Sequence, residues 1–392
     1  MRTWKIGIVQ DTSLPELGFH GLHNGFRGLP GVELVAHVDS NMEDLGQRMA
    51  YGPKRHYRSY QEMMDREQPD IVVLCSRHPF GHFEQIKAAA QRGIHVYCEK
   101  PMTVSLEEAD RIIALMEKHR IKICMAHPAR YSLAFRTMKA MVESGDIGTP
   151  LRIAGRGKCD HRGGGEDLIV LGTHILDLQT FFFGAPECVM ADVRQDGRPI
   201  VETDRRKTME PLGAVAGDSV FAYFRFPGDV IGTFESRHDL FNPDHKIVHM
   251  GVTVTGTKGS LSMRFNDNVP EVESKLRISR FPAPPEDFTQ YEEVPLVERR
   301  TIPGAESLDY SQCGNLYGVP QKALFLESNR FAAWDLMRSI EEDRPPVSNA
   351  SNARLALEMI YGVYASALSG KAIDLPLANR AHPLEAPRET DL

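Results

Sequence analysis

The chain has 392 residues, 46 lysines and arginines against 53 aspartates and glutamates for a net charge of −7, and 42% hydrophobic residues. That composition excludes a disordered chain and a disulfide-stapled miniprotein, and it carries no basic excess with which to grip nucleic acid. At roughly 100–200 residues per domain the length suggests two domains. The six cysteines (Cys75, Cys98, Cys124, Cys159, Cys188, Cys313) form no C-x-x-C pair and several lie in apolar runs, so they read as buried reduced thiols. The N-terminus has no secretory h-region and no stretch of about 18 apolar residues crosses a bilayer. The expectation is a soluble, cytoplasmic protein without membrane or nucleic-acid partners.

In chain order, apolar runs fall at Lys5–Val9, Glu33–Val38, Ile71–Cys75, His95–Cys98 and Lys122–Ala126. Continuous Val/Ile runs predict strands buried on both faces, and the amphipathic stretches between them predict helices. Ser105-Leu-Glu-Glu108 has the spacing of a capping box opening a helix to about Lys118. The alternation predicts a doubly wound α/β domain with a parallel sheet over residues 1–150. In such a sheet the ligand lies beyond the strand C-termini, and the first turn carries a glycine-rich phosphate loop. Here Gln10, Asp11 and Thr12 follow the first strand, and glycines come only at Gly18, Gly21 and Gly25, with Asp11 and Glu16 adding negative charge. Two readings stay open: a divergent turn that still aims a helix at phosphates, and a weakened dinucleotide site. Asp39 ends the second run, where a carboxylate accepts bonds from ribose hydroxyls and repels a 2′-phosphate, favouring NAD over NADP; a plain strand-end turn is the alternative.

The stretch DIVVLCSRHPFGHFEQIKAAAQRGIHVYCEKPMTVSLEEAD (70–110) resembles the Gfo/Idh/MocA oxidoreductases, named for glucose–fructose oxidoreductase and inositol dehydrogenase. The resemblance rests on a strand, a Pro-x-x-His turn carrying His82, a helix, a strand, and then Glu99-Lys100-Pro101. Glu143-Ser-Gly-Asp-Ile-Gly148 is similar to the family's link into its second domain, and the likeness extends to about Pro376. It implies an N-terminal Rossmann domain binding NAD, with NADP the lesser option. The implied cofactor-binding residues are Gln10, Asp11, Gly18, Gly21, Asp39, Ser76, His82, Glu99 and Lys100. Lys100, after a strand end, suits contact with a substrate hydroxyl and a nicotinamide ribose, or a proton relay; pairing with Glu99 alone is the plainer alternative.

From Leu151 the texture changes. LRIAGRGK, CVMADVRQ, SVFAYFRF, VIGTFESRH, HMGVTVTG and SLSMRF alternate apolar and polar residues, which predicts an open, mostly antiparallel sheet with one exposed face. Residues 151–392 then form an α+β substrate-binding and oligomerisation domain, closed by helices from Ala323 to about Glu342 and from Asn352 to Ser369 and by a last strand in SALSGKAIDLPL. By resemblance the sheet's free face makes a homodimer or homotetramer. A helix is predicted from Glu166 to near Phe183, after Gly163-Gly-Gly165. Gly172, His174 and Asp177 match the family pattern, and the resemblance makes His174 the catalytic acid/base. The family's catalytic Asp stands four residues before that histidine, where this chain has Val170, with one extra residue after the glycine run. Asp160, His161, Glu166 and Asp167 are candidates to replace it. Asp177 suits substrate contact or helix orientation. Arg130 reaches substrate oxygens or braces structure, and His238 lines a pocket. His245 and His249 have i, i+4 spacing but lead into a strand, so no metal is expected. Residues 271–311 form a long polar, Pro-containing stretch read as a hairpin, an oligomer arm or a lid.

These readings converge on an NAD-dependent oxidoreductase acting on a sugar, cyclitol or related polyol, with Lys100 and His174 catalytic. Two other classes stay open. One is a redox-neutral sugar lyase or glycosidase using tightly held NAD. The other is a non-catalytic sugar or dinucleotide sensor, which the altered glycine loop permits.

Overall fold

The computed structural model describes residues 2–10, 21–39, 52–210, 212–240, 250–265, 275–281, 291–296, 301–308, 315–316, 319–320 and 323–385. The chain divides into two compact units, Met1–Ser132 with Arg300–Arg354, and Leu133–Arg299 with Leu355–Leu392. The expected single boundary at residue 150 is therefore replaced by three crossings. The reason is packing that hydrophobic periodicity does not report. The segment after Ser132 stacks Phe135 on Phe265, ring centroids 5.0 Å apart, and so joins the second unit. The late helix Ala323–Glu341 instead places Ala332, Ala333, Leu336 and Met337 in one core with Ile6, Ile8 and Val73 of the first.

The first unit is built on six strands, β1 (Trp4–Val9), β2 (Val32–Val38), β3 (Arg55–Tyr57), β4 (Ile71–Leu74), β5 (His95–Cys98) and β6 (Ile123–Met125). They run parallel in the order β3-β2-β1-β4-β5-β6. Five match the apolar runs. The sixth, β3, carries the polar sequence RHY and is held by pairing Ala36, His37 and Val38 with Arg55, His56 and Tyr57. Ile71 and Val73 enter one core, Val72 and Leu74 the other, as a strand covered on both faces requires. Helices α1 (Tyr60–Glu67), α2 (His82–Gln91) and α3 (Leu106–His119) supply cover. Ser105 caps α3, its hydroxyl accepting from the Glu108 backbone N–H at 3.3 Å. The reciprocal half of the expected capping box goes elsewhere: Glu108 accepts from the Thr103 hydroxyl at 2.5 Å, and Thr103 takes the Ser105 N–H at 3.1 Å.

The second unit holds α4 (Leu133–Glu143), β7 (Pro150–Arg156), α5 (Gly165–Val170), α6 (Gly172–Phe183), β8 (Cys188–Gln195), β9 (Ser219–Phe226), β10 (Val230–Arg237), β11 (Gly251–Gly256), β12 (Gly259–Arg264), β13 (Arg277–Arg280), β14 (Glu292–Glu293) and β15 (Ile373–Asp374). The sheet order is β14-β13-β12-β11-β7-β10-β9-β8-β15, antiparallel except where β10 runs beside β7. Alternation sets the faces. Val220, Ala222, Phe224 and Phe226 of β9 point to the core, while Phe221 of β9, Met190 of β8 and Ile231 of β10 stay exposed. Within the 271–311 stretch, β13 and β14 pair as an antiparallel edge extension, Arg277 opposite Glu293. The predicted helix 166–183 is two helices that meet at Leu171. Gly172 there presses on Phe234, where a Cβ would lie 2.9 Å from the ring.

Beyond β15 the chain docks back on the helix Ala350–Ser369. Arg380 pairs with the buried Glu358, and the His382 ring stacks on Tyr361 at 4.6 Å. Burial, then the charge of Arg205, pushes His382 down to about 4. Burial likewise holds His95 at about 4 and His23 at about 3. Each ring is neutral in the folded state and titrates near 6.5 once unfolded. Their stabilisation is therefore complete above pH 6.5 and is lost as pH falls toward 4, each worth up to about 3 kcal/mol at the lower limit. Asp167, raised by burial, acts in the opposite sense above the ordinary carboxylate range. Denaturant midpoints measured from pH 7.5 to 4.5 should fall steadily below pH 6.5. The histidine attribution fails if His382→Phe leaves that slope unchanged.

Candidate active site

In the first unit the functional side chains follow from where parallel strands stop. The residue after each strand is pinned by its neighbour: Gln10 N–H to Val38 O, Cys75 N–H to Val9 O and Glu99 N–H to Leu74 O, all at 2.9 Å. The strand order reverses between β1 and β4, which opens a crevice at their C-terminal ends. Gln10, Asp39, Ser76, Glu99 and Lys100 all sit at this edge and all are buried. Gln10 is held through its side-chain oxygen by the His37 ring. Glu99 Oε2 accepts the backbone N–H of Lys100 at 2.5 Å, so this carboxylate shapes the turn that carries the lysine. The Lys100–Pro101 bond is cis.

His82 stands apart from the rest of the predicted cofactor set. Its ring is wholly buried, with Nδ1 at 3.1 Å from Pro101 O and 3.2 Å from Met102 O and Nε2 at 3.0 Å from Ser76 O. Burial, opposed by these carbonyls and by Glu99, lowers its pKa. Asp11 and Gly18 lie outside the described residues. Gly21 adopts a left-handed conformation (φ 59°) and opens the short helical turn Leu22–Phe26. That turn packs Leu22 and Phe26 with Ile8 and Cys75. The His23 ring comes 3.8 Å from the Cys75 thiol, which burial pushes up. Within the turn, both side-chain polar atoms of Asn24 are buried with no hydrogen-bond partner among the described residues. Sequence reading passed over His23, His37 and Asn24, because no motif spacing marks a polar residue enclosed at a strand end. Arg130 is buried and donates to Val347 O at 3.3 Å, a backbone brace within this unit.

In the second unit the chain leaves β7 through Gly157 and enters α5 through Gly163-Gly164-Gly165. Tight packing explains the glycines: a Cβ at Gly163 would lie 2.2 Å from Arg237 O, and one at Gly165 2.2 Å from Ala216 O. Asp167, fully buried, closes the same turn. Its Oδ2 accepts from Cys159 N–H at 3.0 Å and from the Ser236 hydroxyl at 2.5 Å, and Ser236 in turn takes Gly164 N–H at 3.0 Å. Its Oδ1 has no hydrogen-bond partner among the described residues. Glu166 accepts the Met209 N–H at 2.9 Å and so anchors a loop from the β8–β9 excursion. Asp160 pairs with Arg162 at 2.8 Å, and Arg162 also reaches Glu210 at 3.1 Å. Burial alone would raise the Asp160 carboxyl, but Arg162 overcomes it and holds it at about 2.

Among the remaining expectations, His174 lies half-buried in the first turn of α6, Asp177 is fully buried on the same helix, and Val170 is buried at the end of α5. His161 is exposed, and His238 is exposed beside Asp239 at 3.2 Å. His245 and His249 lie outside the described residues. Asp160, Glu166 and Asp167, each a candidate for the missing carboxylate, are thus engaged in holding loops.

Residues 19–127 match the oxidoreductase family described as having an NAD-binding Rossmann fold, and residues 135–262 match the GFO/IDH/MocA C-terminal domain. The chain belongs to the Gfo/Idh/MocA family. Among curated members, D-apiose dehydrogenase of Paraburkholderia graminis is 31% identical over 41% of this chain and 46% of its own length. Myo-inositol 2-dehydrogenase of Thermotoga maritima is 28% identical over 56% of this chain and 63% of its own. The chain thus spans about half the length of the curated relatives it matches. A levoglucosan dehydrogenase solved with NADH and levoglucosan superposes with a TM-score of 0.72 at 18% identity, covering 96% of this chain and all of that one; it shares the fold. Within the Gfo/Idh/MocA family, the valine at position 170 is this chain's departure at the point where the resemblance places an aspartate.

Proposed function

We propose that this protein is an NAD-dependent oxidoreductase that moves a hydride between nicotinamide and a sugar, cyclitol or related polyol. The observation that carries the reading is Asp39, buried at the C-terminal end of β2 beside the point where the strand order reverses. The residues present fit a dinucleotide. Asn24 offers an enclosed amide that no described residue satisfies, and a polar ligand would satisfy it. Asp39 would accept from the ribose hydroxyls, and Gln10, Ser76, Glu99 and Lys100 would line the same edge. When bound, the cofactor supplies the hydride acceptor or donor. Lys100 binds the reacting hydroxyl and stabilises its oxygen as the proton leaves. His174 of the second unit is the general base that the family resemblance assigns.

The test is a screen of neutral sugars and cyclitols with NAD, following NADH absorbance. Sugar-dependent NADH formation is expected with at least one of them, and His174→Ala should lower kcat about 100-fold or more. Calorimetry that finds no binding of NAD or NADP would sink the reading. Tight NAD with sugar cleavage and no NADH release would favour the redox-neutral class.

The open sheet face supports a homodimer or larger homo-oligomer through Met190, Phe221 and Ile231 on three adjacent strands. Phe221→Lys should convert it to monomer by light scattering with the fold retained; an unchanged mass would move the interface elsewhere. Buried free thiols at Cys75, Cys98, Cys124, Cys159 and Cys188 suit the reducing cytoplasm.

A further inference from the structure

Two loops at the C-terminal edge of the parallel sheet carry the groups assigned to the dinucleotide. One follows β4 and holds Ser76. The other follows β5 and holds Glu99, Lys100, Pro101 and Met102. Neighbouring strands fix their first residues, Cys75 through Val9 O and Glu99 through Leu74 O. Beyond those residues the ladder stops, and each loop must find another constraint.

The His82 ring lies between them. It is the first residue of α2, its exposure is 0%, and the α2 core residues Phe83 and Ile86 hold the backbone beneath it. One nitrogen faces the Ser76 carbonyl at 3.0 Å, and the other faces those of Pro101 and Met102 at 3.1 and 3.2 Å. All three acceptors are backbone oxygens, so the ring reads the path of the two loops and not the identity of their side chains. Burial favours the neutral ring, which carries its proton on one nitrogen only. The ring therefore donates to the carbonyl side of one loop and packs against the other.

We propose that His82 is a positioning residue: its buried ring, wedged between the Ser76 loop and the Lys100–Met102 loop with its one N–H donated to a carbonyl of one of them, fixes the spacing of the two loops and so presets Lys100 for the dinucleotide, without touching the cofactor. The proposal rests on the dinucleotide reading for its consequence, but the tie itself does not. It replaces the cofactor contact that the turn motif alone suggested for this histidine.

The experiment compares wild-type protein with His82→Gln and His82→Phe in three readouts. Amide hydrogen exchange of the cofactor-free protein is expected to accelerate in both loops together, over residues 76–81 and 100–103, while β4 and β5 keep their protection. NAD titrated by calorimetry is expected to bind about tenfold more weakly, the scale of one lost buried hydrogen bond. KM for NAD is expected to rise by a similar factor, with kcat at saturating NAD changed by less than about threefold. A generally structural histidine would lower melting temperature and the folded fraction without separating KM from kcat. Unchanged exchange in either loop, or wild-type NAD affinity in both variants, overturns the proposal. Should the variants not fold, nitrogen NMR of the wild-type ring decides. A His82 ring proton shielded from solvent exchange supports the tie, and a freely exchanging one overturns it. If wild-type protein binds no NAD, the dinucleotide reading fails, while hydrogen exchange still decides whether His82 joins the loops.

Discussion

Replacing Lys100 by methionine is expected to lower turnover of the responsive sugar by about 10²–10⁴, the range lost with a positioned acid–base or charge-stabilising group. The fold should survive. Lys100 is 4% exposed, and methionine fills much the same volume without a charge to bury. What shapes this turn is the backbone: the Lys100 N–H donates to Glu99, and the carbonyls of Pro101 and Met102 face His82. Methionine keeps every one of those bonds. Substitution therefore removes the ammonium alone, and the loss should fall on kcat more than on KM for NAD. Stopped-flow NADH formation at saturating NAD measures it. Turnover within about threefold of wild type would remove Lys100 from the chemistry, and a melting temperature lowered by several degrees would mean the amine serves packing instead.

The core strands were legible because a strand buried on both faces needs apolar residues along its length, and IVVL and the VYC that follows His95 supply them. The sheet of the second unit was legible because SVFAYFRF alternates. What escaped had no such signature. Strand β3 is polar and exists through pairing with β2, so its RHY sequence reads as loop. The helix Ala323–Glu341 declares itself a helix, but which core takes its apolar stripe is decided by Ile6 and Val73, some 300 positions earlier. The two later crossings between units follow from that, and the first from the packing of Phe135 on Phe265. The Glu-Lys-Pro and Pro-x-x-His motifs placed their residues at the C-terminal edge of the parallel sheet. They could not say that both nitrogens of the buried His82 ring face backbone carbonyls. Asp167 shows the same limit. Its carboxylate fills the hollow that Gly157 leaves, where a Cβ would lie 2.1 Å from Oδ2. A residue suspected of replacing a missing catalytic acid is instead the buried anchor of its own turn.

That turn carries the second large prediction. Gly164 has φ 85° and ψ −134°, a region open to glycine and strained for any residue with a Cβ. A Cβ built there would lie 2.5 Å from the Gly217 carbonyl oxygen and 2.6 Å from Asp218 C, both backbone atoms that cannot swing aside. Gly164→Ala combines the two penalties: about 1–3 kcal/mol for the backbone conformation and a further 1–3 kcal/mol for the forced displacement. The sum reaches the range in which single substitutions unfold a domain, and the melting temperature should fall by more than about 10 °C. Two comparisons separate the contributions. Gly184 has φ 79° with nothing within 4 Å of its Cβ position, so Gly184→Ala isolates the conformational part and should cost only about 1–3 kcal/mol. Gly163 would meet Arg237 O at 2.2 Å without a positive φ, so Gly163→Ala isolates the steric part. A Gly164→Ala protein melting within about 2 °C of wild type would mean that α5 does not enter against Gly217. The turn held by Asp167 and Ser236 would then need redrawing, and with it the setting of Asp160 and Arg162.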